Sequence, residues 1–269
     1  ATTFLRRSAG LPFAVLAVLY AEHNLSKGGG AMIGVALRRL LARAADEKGE
    51  EGGEAEGESE WGGRVHALNL LRHIYQDKAF GVAVMSHVAD GFLCAFSALA
   101  SARWAVRNSG TLLLASLLER ALRNRRSRDE HAEVNALGIR DFFARAPGLH
   151  AFLLRRLRTF DGGAADGADG DAATGALDQD VFALLLLLSK LVPSPTAQQA
   201  KADALDLDAL VPLVRACGTL RAHRARVVAS RALVPLVAPS SLPTVALDLA
   251  AELPARGGAL RQNALHGTL

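Results

Sequence analysis

Apolar residues recur every three or four positions through most of this 269-residue chain, and this periodicity limits what the chain can fold into. Segment 31–45 illustrates it, with an apolar face made of Ile33, Leu37, Leu40 and Leu41. The opposite side of the same segment carries the arginines Arg38, Arg39 and Arg43. Clusters of β-branched and aromatic residues at strand spacing are scarce, and aromatic residues make up only 5% of the chain. The pattern therefore predicts an all-α fold.

Other segments repeat the same spacing. Segment 65–75 has an apolar face of Val65, Leu68, Leu71 and Tyr75, and leaves Arg64 and Arg72 outside it. Segment 105–122 places Val106, Leu113, Leu117 and Leu118 together. The apolar stretch 13–21 predicts a buried helix close to the start of the chain. Further helices are expected near 86–102, 147–160, 178–192, 205–217, 223–237 and 242–253.

Two low-complexity inserts interrupt the helical series. Residues 46–63 are acidic and Gly-rich, and residues 162–175 consist mainly of Gly, Ala and Asp. Neither insert buries enough apolar surface to offset the entropy of ordering, so we expect flexible loops. The second insert lacks the closing Glu of a calcium loop, so it predicts no metal site. The organisation expected is a helical domain at 1–160, a Gly/Asp-rich linker at 161–177 and helical repeats at 178–269.

Positive charge is concentrated away from the first insert. Residues 46–60 carry a net charge of −7, so the remainder of the chain carries +11. Residues 103–128 contain seven arginines and a single acid, Glu119. Such an excess favours a polyanion such as RNA, or an acidic protein surface. The ratio of 26 Arg to 5 Lys in an Ala- and Gly-rich chain fits a GC-rich genome equally well.

Cysteine usage and hydropathy bear on the compartment. Cys94 and Cys217 lie in separate apolar segments, which predicts buried, reduced thiols in a cytoplasmic protein. The best candidate for a membrane helix, 181–188, has eight apolar residues before Ser189 and Lys190, against the roughly 20 that such a helix needs. We therefore expect no membrane insertion. The chain begins with Ala and ends on Leu269 without a polar tail, which predicts a piece of a longer protein.

Motifs of catalysis and cofactor binding are missing from the sequence. There is no Gly-x-Gly-x-x-Gly turn after a strand, no P-loop and no Gly-x-Ser-x-Gly elbow. The histidines His66, His73, His87 and His131 are dispersed without metal-ligand spacing. The sequence predicts a non-catalytic chain with no cofactor and no bound metal.

The last third of the chain shows repeat organisation. Residues 207–217 predict a helix with an internal Pro212, Gly218 marks a break, and 226–237 predict a second helix with an Ala-x-x-Ala-Leu pattern. This arrangement resembles a HEAT repeat, and residues 104–118 resemble the second helix of such a unit. One helix pair cannot bury its own apolar face, whereas stacked pairs can. We therefore expect an armadillo/HEAT-like α-solenoid with two flexible inserts.

Five strings, taken in order, resemble the THADA family, which includes the fungal partner proteins of an FtsJ-type tRNA 2′-O-methyltransferase. They are Arg6-Arg-Ser-Ala-Gly-Leu-Pro12, Val65-His-Ala-Leu-Asn-Leu-Leu-Arg72, Trp104-Ala-Val-Arg-Asn-Ser109, Phe142-Phe-Ala-Arg-Ala-Pro147 and Asn263-Ala-Leu-His-Gly267. The resemblance identifies 1–160 as the family's central helical domain and 178–269 as the repeats that follow it.

The resemblance implies a non-catalytic scaffold that partners an FtsJ-type methyltransferase. Such a scaffold would help to present the tRNA anticodon loop for ribose 2′-O-methylation, so its expected partners are the methyltransferase and tRNA. The alternative is a general protein-interaction α-solenoid without RNA contact, because animal members have been linked to regulation of a membrane calcium pump.

The resemblance also implies site residues. The first string is the one most associated with the modification, and its candidates are Arg6, Arg7, Ser8, Gly10, Leu11 and Pro12. Arg6 and Arg7 would contact phosphate or partner carboxylates, since a guanidinium offers a planar fork of donors to either. The turn would be shaped by Gly10 and Pro12, with Leu11 in the core.

The other strings supply weaker candidates. Arg107 and Asn108 would reach RNA, or Arg107 would instead brace the adjacent repeat. Structural roles are expected for the remaining candidates: hydrogen bonding to a neighbouring loop for His66 and Asn69, core packing for Trp104, and helix capping for Asn263 and His266.

Overall fold

The computed structural model describes residues 10–26, 31–46, 58–122, 137–159, 173–194, 205–220, 222–251, 253, 262 and 265. These residues form α-helices and short 3-10 turns, and no β-strand beyond one isolated parallel bridge between Gly138 and Val192. The predicted all-α class is confirmed for this part of the chain. The chain divides into two compact units, Ala1–Arg123 and Asn124–Leu269.

Unit 1 contains five α-helices within its described residues. They are α1 (Leu11–Leu25), α2 (Ala31–Ala44), α3 (Glu58–Gln76), α4 (Val88–Leu99) and α5 (Trp104–Leu122), with a 3-10 turn at Met85–His87 before α4. Helices α3, α4 and α5 pack together most extensively. Their contact buries the largest side chains of the unit, including Leu68, Leu71, Tyr75, Phe92, Phe96, Leu113 and Leu117. The faces predicted for segments 65–75 and 105–122 therefore form its centre.

Helix α2 follows its predicted pattern closely. Ile33, Leu37 and Leu41 are buried, whereas Arg38 and Arg39 are exposed. The helix packs against α3 and α4 through that apolar face. The spacing of three and four residues predicts the buried face of α2 correctly because both neighbouring helices contact the same side of it.

Helix α1 forms where it was expected, but the prediction that it is buried is wrong. Leu19 is buried, whereas Phe13 is 67% exposed and Leu25 is 86% exposed. The helix contacts α2 and α3, and much of its apolar surface remains exposed within the described residues. The sequence is apolar on nearly every side of this helix, so its composition did not reveal which side would find a neighbour.

Unit 2 consists of shorter helices within its described residues. They are α6 (Ile139–Arg145), α7 (Pro147–Thr159), α8 (Ala173–Leu188), α9 (Val211–Ala216), α10 (His223–Leu233) and α11 (Leu242–Ala251). Short 3-10 turns lie at Asp208–Leu210, Cys217–Thr219, Val234–Leu236 and Pro239–Ser241. The main contact joins α8 and α10, and α9 packs beside α10.

The expected internal proline of segment 205–217 is not internal. Pro212 is the second residue of α9, where a missing backbone N–H costs no helical hydrogen bond. The preceding residues form the 3-10 turn Asp208–Leu210 instead of a continuous α-helix. Elsewhere in unit 2, the parallel bridge between Gly138 and Val192 joins the start of α6 to the residues after α8, and the N–H of Ile139 donates to the carbonyl of Val192 at 3.0 Å.

The described C-terminal ends of the two predicted inserts are helical and not loops. Residues 58–63 belong to α3 and residues 173–175 begin α8, so these parts of the expected loops are helical. Residues 47–57 and 160–172 lie outside the described residues. The boundary between the compact units falls at Arg123 and Asn124, ahead of the predicted linker at 161–177, which stays a prediction.

Among the described residues, no single helix has the length and hydropathy to cross a membrane. One bent pair, His223–Leu236 with Pro239–Ala251 at 110°, meets the criterion of length and composition when its two parts are taken together.

Candidate functional site

The start of α1 carries the described part of the first string. Gly10 occupies the N-cap with φ −82° and ψ −14°, and its carbonyl accepts from Ala14 N at 3.1 Å. Pro12 is the second helical residue, a position at which its fixed φ suits the helix. Leu11 is 40% exposed, so its expected place in the core is wrong. Arg6, Arg7 and Ser8 lie outside the described residues.

Helix α1 packs through aromatic rings against the end of α3 and against the residues that follow it. The Phe13 ring lies 5.9 Å from the His73 ring, and the Tyr20 ring lies 5.1 Å from Phe80. The hydroxyl of Tyr20 donates to the carboxylate of Asp77, and this hydrogen bond raises the pKa of the phenol. These contacts bring the start of α1 next to the end of the second string.

That second string lies along α3. His66 and Asn69 are both half-buried, one turn apart on the helix. Burial lowers the pKa of His66, which favours the neutral imidazole expected of a structural hydrogen-bonding residue. Hydrogen bonding of this pair to a neighbouring loop stays a prediction.

Arg72 ends the string, and His73 follows it on the same helix. The pKa of His73 is lowered, chiefly by burial and secondarily by the positive charge of Arg72. The Nε of Arg72 is buried and has no hydrogen-bond partner among the described residues. The helix thus holds a partly desolvated cation beside a neutral imidazole.

The third string begins α5, and its residues are arranged differently from expectation. Trp104 is 70% exposed, so the prediction that it belongs to the core is wrong. It is the first residue of α5, and the core face of that helix begins at Val106. Asn108 is exposed, whereas Arg107 Nη1 donates to the carbonyls of Ser101 and Ala102 at 2.9 and 2.8 Å. Arg107 therefore braces the loop before its own helix, and its expected contact with an adjacent repeat or with RNA stays a prediction, as does RNA contact for Asn108.

Several other arginines hold backbone carbonyls in the same way. Arg64 is 1% exposed, with Nε donating to Ala44 O and Nη2 to Ser97 Oγ, both at 2.8 Å. Arg120 Nε donates to Tyr75 O at 2.7 Å. In unit 2, Arg226 Nη1 donates to Leu220 O at 2.6 Å. The three carbonyl acceptors, those of Ala44, Tyr75 and Leu220, lie within one residue of the end of a helix or a 3-10 turn, where carbonyls lack a partner within the element.

The burial of Arg64 contradicts its predicted place outside the apolar face. Residues 64, 68, 71 and 75 follow a single helical face, and the last three are core residues. Spacing alone would have located Arg64 on the buried side. Charge by itself favours an exposed position, but a guanidinium can be buried when acceptors surround it.

The last two strings contribute packing where the structure describes them. Phe142 and Phe143 are buried in α6, and the Phe143 ring meets that of His150 edge-on at 5.4 Å. Asn263 and His266 lie outside the described residues, so their capping roles stay predictions. Across the described part of the chain, no group of three or more His, Cys, Asp or Glu side chains is placed to hold a metal ion.

Two family models match the chain in succession. The model described as "THADA/TRM732, DUF2428" matches residues 1–105, and the model described as "Trm732, C-terminal TPR repeats" matches residues 107–269. TPR repeats are stacked helix pairs, so the second match confirms the α-solenoid class. The predicted start of the repeats at residue 178 stays a prediction. No solved structure matches the chain.

Curated relatives align over most of the chain. The tRNA (32-2'-O)-methyltransferase regulator THADA of Homo sapiens is 35% identical over 98% of this chain. The protein of the same name from Drosophila melanogaster is 35% identical over 79%, and the regulator trm732 of Schizosaccharomyces pombe is 24% identical over 98%. The chain spans 13%, 12% and 16% of the length of these three relatives. Because both family models match and the human relative aligns with 98% of this chain, the chain belongs to the THADA/Trm732 family.

Proposed function

We propose that this chain is part of a non-catalytic regulatory subunit of a tRNA 2′-O-methyltransferase. The enzyme would be of the FtsJ type, acting in the cytoplasm on a ribose of the tRNA anticodon loop. The observation that carries this proposal is the name shared by the aligned relatives, which describes a regulator of a tRNA (32-2'-O)-methyltransferase.

The helical architecture is suited to such a role. Stacked helix pairs expose extended surfaces without needing a cofactor pocket, so a solenoid can hold an enzyme and its substrate together. The chemistry would then belong to the partner enzyme. The relatives are named as regulators of the methyltransferase and not as methyltransferases, which supports this division of labour.

The proposed working surface is the part of the first string that precedes α1 in the sequence. Arg6 and Arg7 stand four and three residues before the N-cap Gly10, and α1 itself packs on α3. Two adjacent guanidiniums provide charge-assisted donors for phosphate groups or for the carboxylates of a partner. Either contact would couple this segment to the modification complex.

The experiment is performed in cells whose full-length protein carries Arg6→Ala with Arg7→Ala. The matched control is Arg38→Ala with Arg39→Ala, which removes two adjacent exposed arginines from α2. We expect anticodon-loop 2′-O-methylation to fall strongly for the first pair and to persist for the control pair, at equal protein abundance. Unchanged methylation with Arg6 and Arg7 removed would refute their role. Unchanged methylation in cells lacking the full-length protein would refute the proposed function itself.

A further inference from the structure

The Nε of Arg72 is a cationic donor for which the described residues provide no acceptor. Its side chain is half-buried, and its Nε has neither solvent contact nor a hydrogen-bond partner among the described residues. Arg64, Arg107 and Arg120 in the same unit each donate to a backbone carbonyl. A partly desolvated guanidinium gains more from an external anion than a fully hydrated one does, because the surrounding dielectric is lower.

An exposed aromatic ring packs against His73, the residue that follows this cation in the sequence and whose pKa its charge lowers. Phe13 is 67% exposed, and its ring centroid is 5.9 Å from that of His73, the residue next to Arg72. The two rings are tilted by 51°, so His73 supports the phenyl ring at a fixed angle. Burial and the neighbouring Arg72 lower the pKa of His73 and keep its imidazole neutral, which leaves Arg72 as the cation of this pair.

We propose that Phe13 and Arg72 form a binding site for an unpaired nucleotide of RNA, with the base stacked on the Phe13 ring and a neighbouring phosphate bound by the Arg72 guanidinium. We call Phe13, Arg72 and His73 the α1–α3 patch. The choice of RNA as the ligand rests on the proposed function.

The combination of groups in the α1–α3 patch favours a single-stranded ligand. Every base has a π-face, so an accessible aromatic ring binds unpaired bases with little dependence on sequence. A base within a duplex is stacked on its neighbours and cannot reach such a ring. A nucleotide uses both groups at once, through its base and its phosphate, whereas a carboxylate group uses only the guanidinium.

The test measures binding of a fluorescently labelled, unstructured oligouridylate to the purified full-length protein at several salt concentrations. Phe13→Leu keeps an apolar side chain and removes the ring, and we expect it to weaken binding at least fivefold, about the value of one stacked base. Arg72→Met is expected to weaken binding about tenfold and to reduce the salt slope by about 0.7, the contribution of one phosphate contact in single strands.

Two control variants match these changes at other positions. Leu25→Ala removes an exposed apolar side chain from the far end of α1, and Arg39→Met removes an exposed arginine from α2. Both are expected to bind the oligouridylate as the unchanged protein does. Arg72→Lys keeps the charge without the planar fork and should lie between the unchanged protein and Arg72→Met. The thermal unfolding midpoint of every variant is measured in parallel, and Phe13→Leu and Arg72→Lys carry the test if Arg72→Met does not fold.

The outcomes separate this inference from the proposed function. Affinity losses confined to Phe13 and Arg72 support the site, even if anticodon-loop methylation proves independent of the protein. Affinities equal to those of the controls, or no binding of the oligouridylate by the full-length protein, overturn it. Unchanged RNA affinity with loss of methyltransferase co-purification in Arg72→Met also overturns it, and would assign the patch to a protein partner.

Discussion

Replacing Arg64 by Met tests whether a buried guanidinium stabilises unit 1. Arg64 bonds Ala44 O, at the last residue of α2, and Ser97 Oγ near the end of α4. It thereby joins three helices through one charged group. Met fills much of the same volume and removes both the charge and the donors, so the variant isolates the polar contribution.

Two opposing effects determine the size of the change. Each hydrogen bond from a charged donor contributes about 1.5–3 kcal/mol, and burying the charge itself costs several kcal/mol, which the Met variant regains. The carbonyl of Ala44 remains, however, and this residue has no exposed surface. Because such an unsatisfied acceptor costs about 1–3 kcal/mol and the serine hydroxyl loses its donor as well, we expect Arg64→Met to destabilise unit 1 by about 2–4 kcal/mol.

The assay is urea denaturation followed by tryptophan fluorescence. Both tryptophans, Trp61 and Trp104, lie in unit 1, so the emission reports that unit. Arg39→Met is the control, because it removes an exposed arginine and should change the free energy of unfolding by less than about 0.5 kcal/mol. If Arg64→Met is as stable as this control, the carbonyl contacts of the buried arginine give no net stabilisation and our reasoning is refuted.

Two further predictions concern close packing and thiol reactivity. Gly110→Ala should destabilise unit 1 by about 1–3 kcal/mol, because its Cβ would lie 2.7 Å from the Cβ of Ala98, whereas Gly34→Ala meets only a flexible arginine at 3.4 Å and should stabilise by up to about 1 kcal/mol. Equal stability of the two variants by urea denaturation would contradict the close approach of α4 and α5. Burial raises the pKa of Cys94 to about 11 and that of Cys217 to about 12, so both thiols should resist Ellman's reagent in the native protein at neutral pH and react in urea. Rapid labelling of the native protein would contradict their burial.

The helices were predictable because each depends on local periodicity. Segments such as 31–45 and 147–160 match α2 and α7 within a residue or two, since one buried side leaves a clear pattern of three and four. Burial of α1 was not predictable in the same way. A helix that is apolar on nearly every side signals a core position, yet α1 packs on one side only within the described residues. Its exposure depends on which neighbours are present, and no local pattern encodes that.

Side-chain roles are harder to predict than helices, because the residue type and the position along the helix can favour opposite environments. Trp104 was assigned to the core for its size, although it precedes the apolar face of α5 and extends into solvent. Arg64 was assigned to the surface for its charge, although its spacing from Leu68 and Leu71 places it on the buried face. The acceptors that make its burial possible come from α2 and α4, far away in sequence. Only the tertiary contacts reveal them.

The high arginine content therefore admits a use that composition alone does not suggest. Carbonyls at the ends of helices lack partners within the helix, and a chain of many short helices has many such ends. Arg64, Arg120 and Arg226 each satisfy one of these carbonyls with a long side chain reaching from another part of the same unit. A guanidinium bound in this way is held by the fold and is not free to follow a phosphate backbone. Net charge thus overstates the cationic surface that RNA would meet, and any affinity for RNA has to be assigned to single arginines. Arg72 distinguishes binding of a backbone carbonyl from binding of a phosphate, because its buried Nε has no acceptor among the described residues.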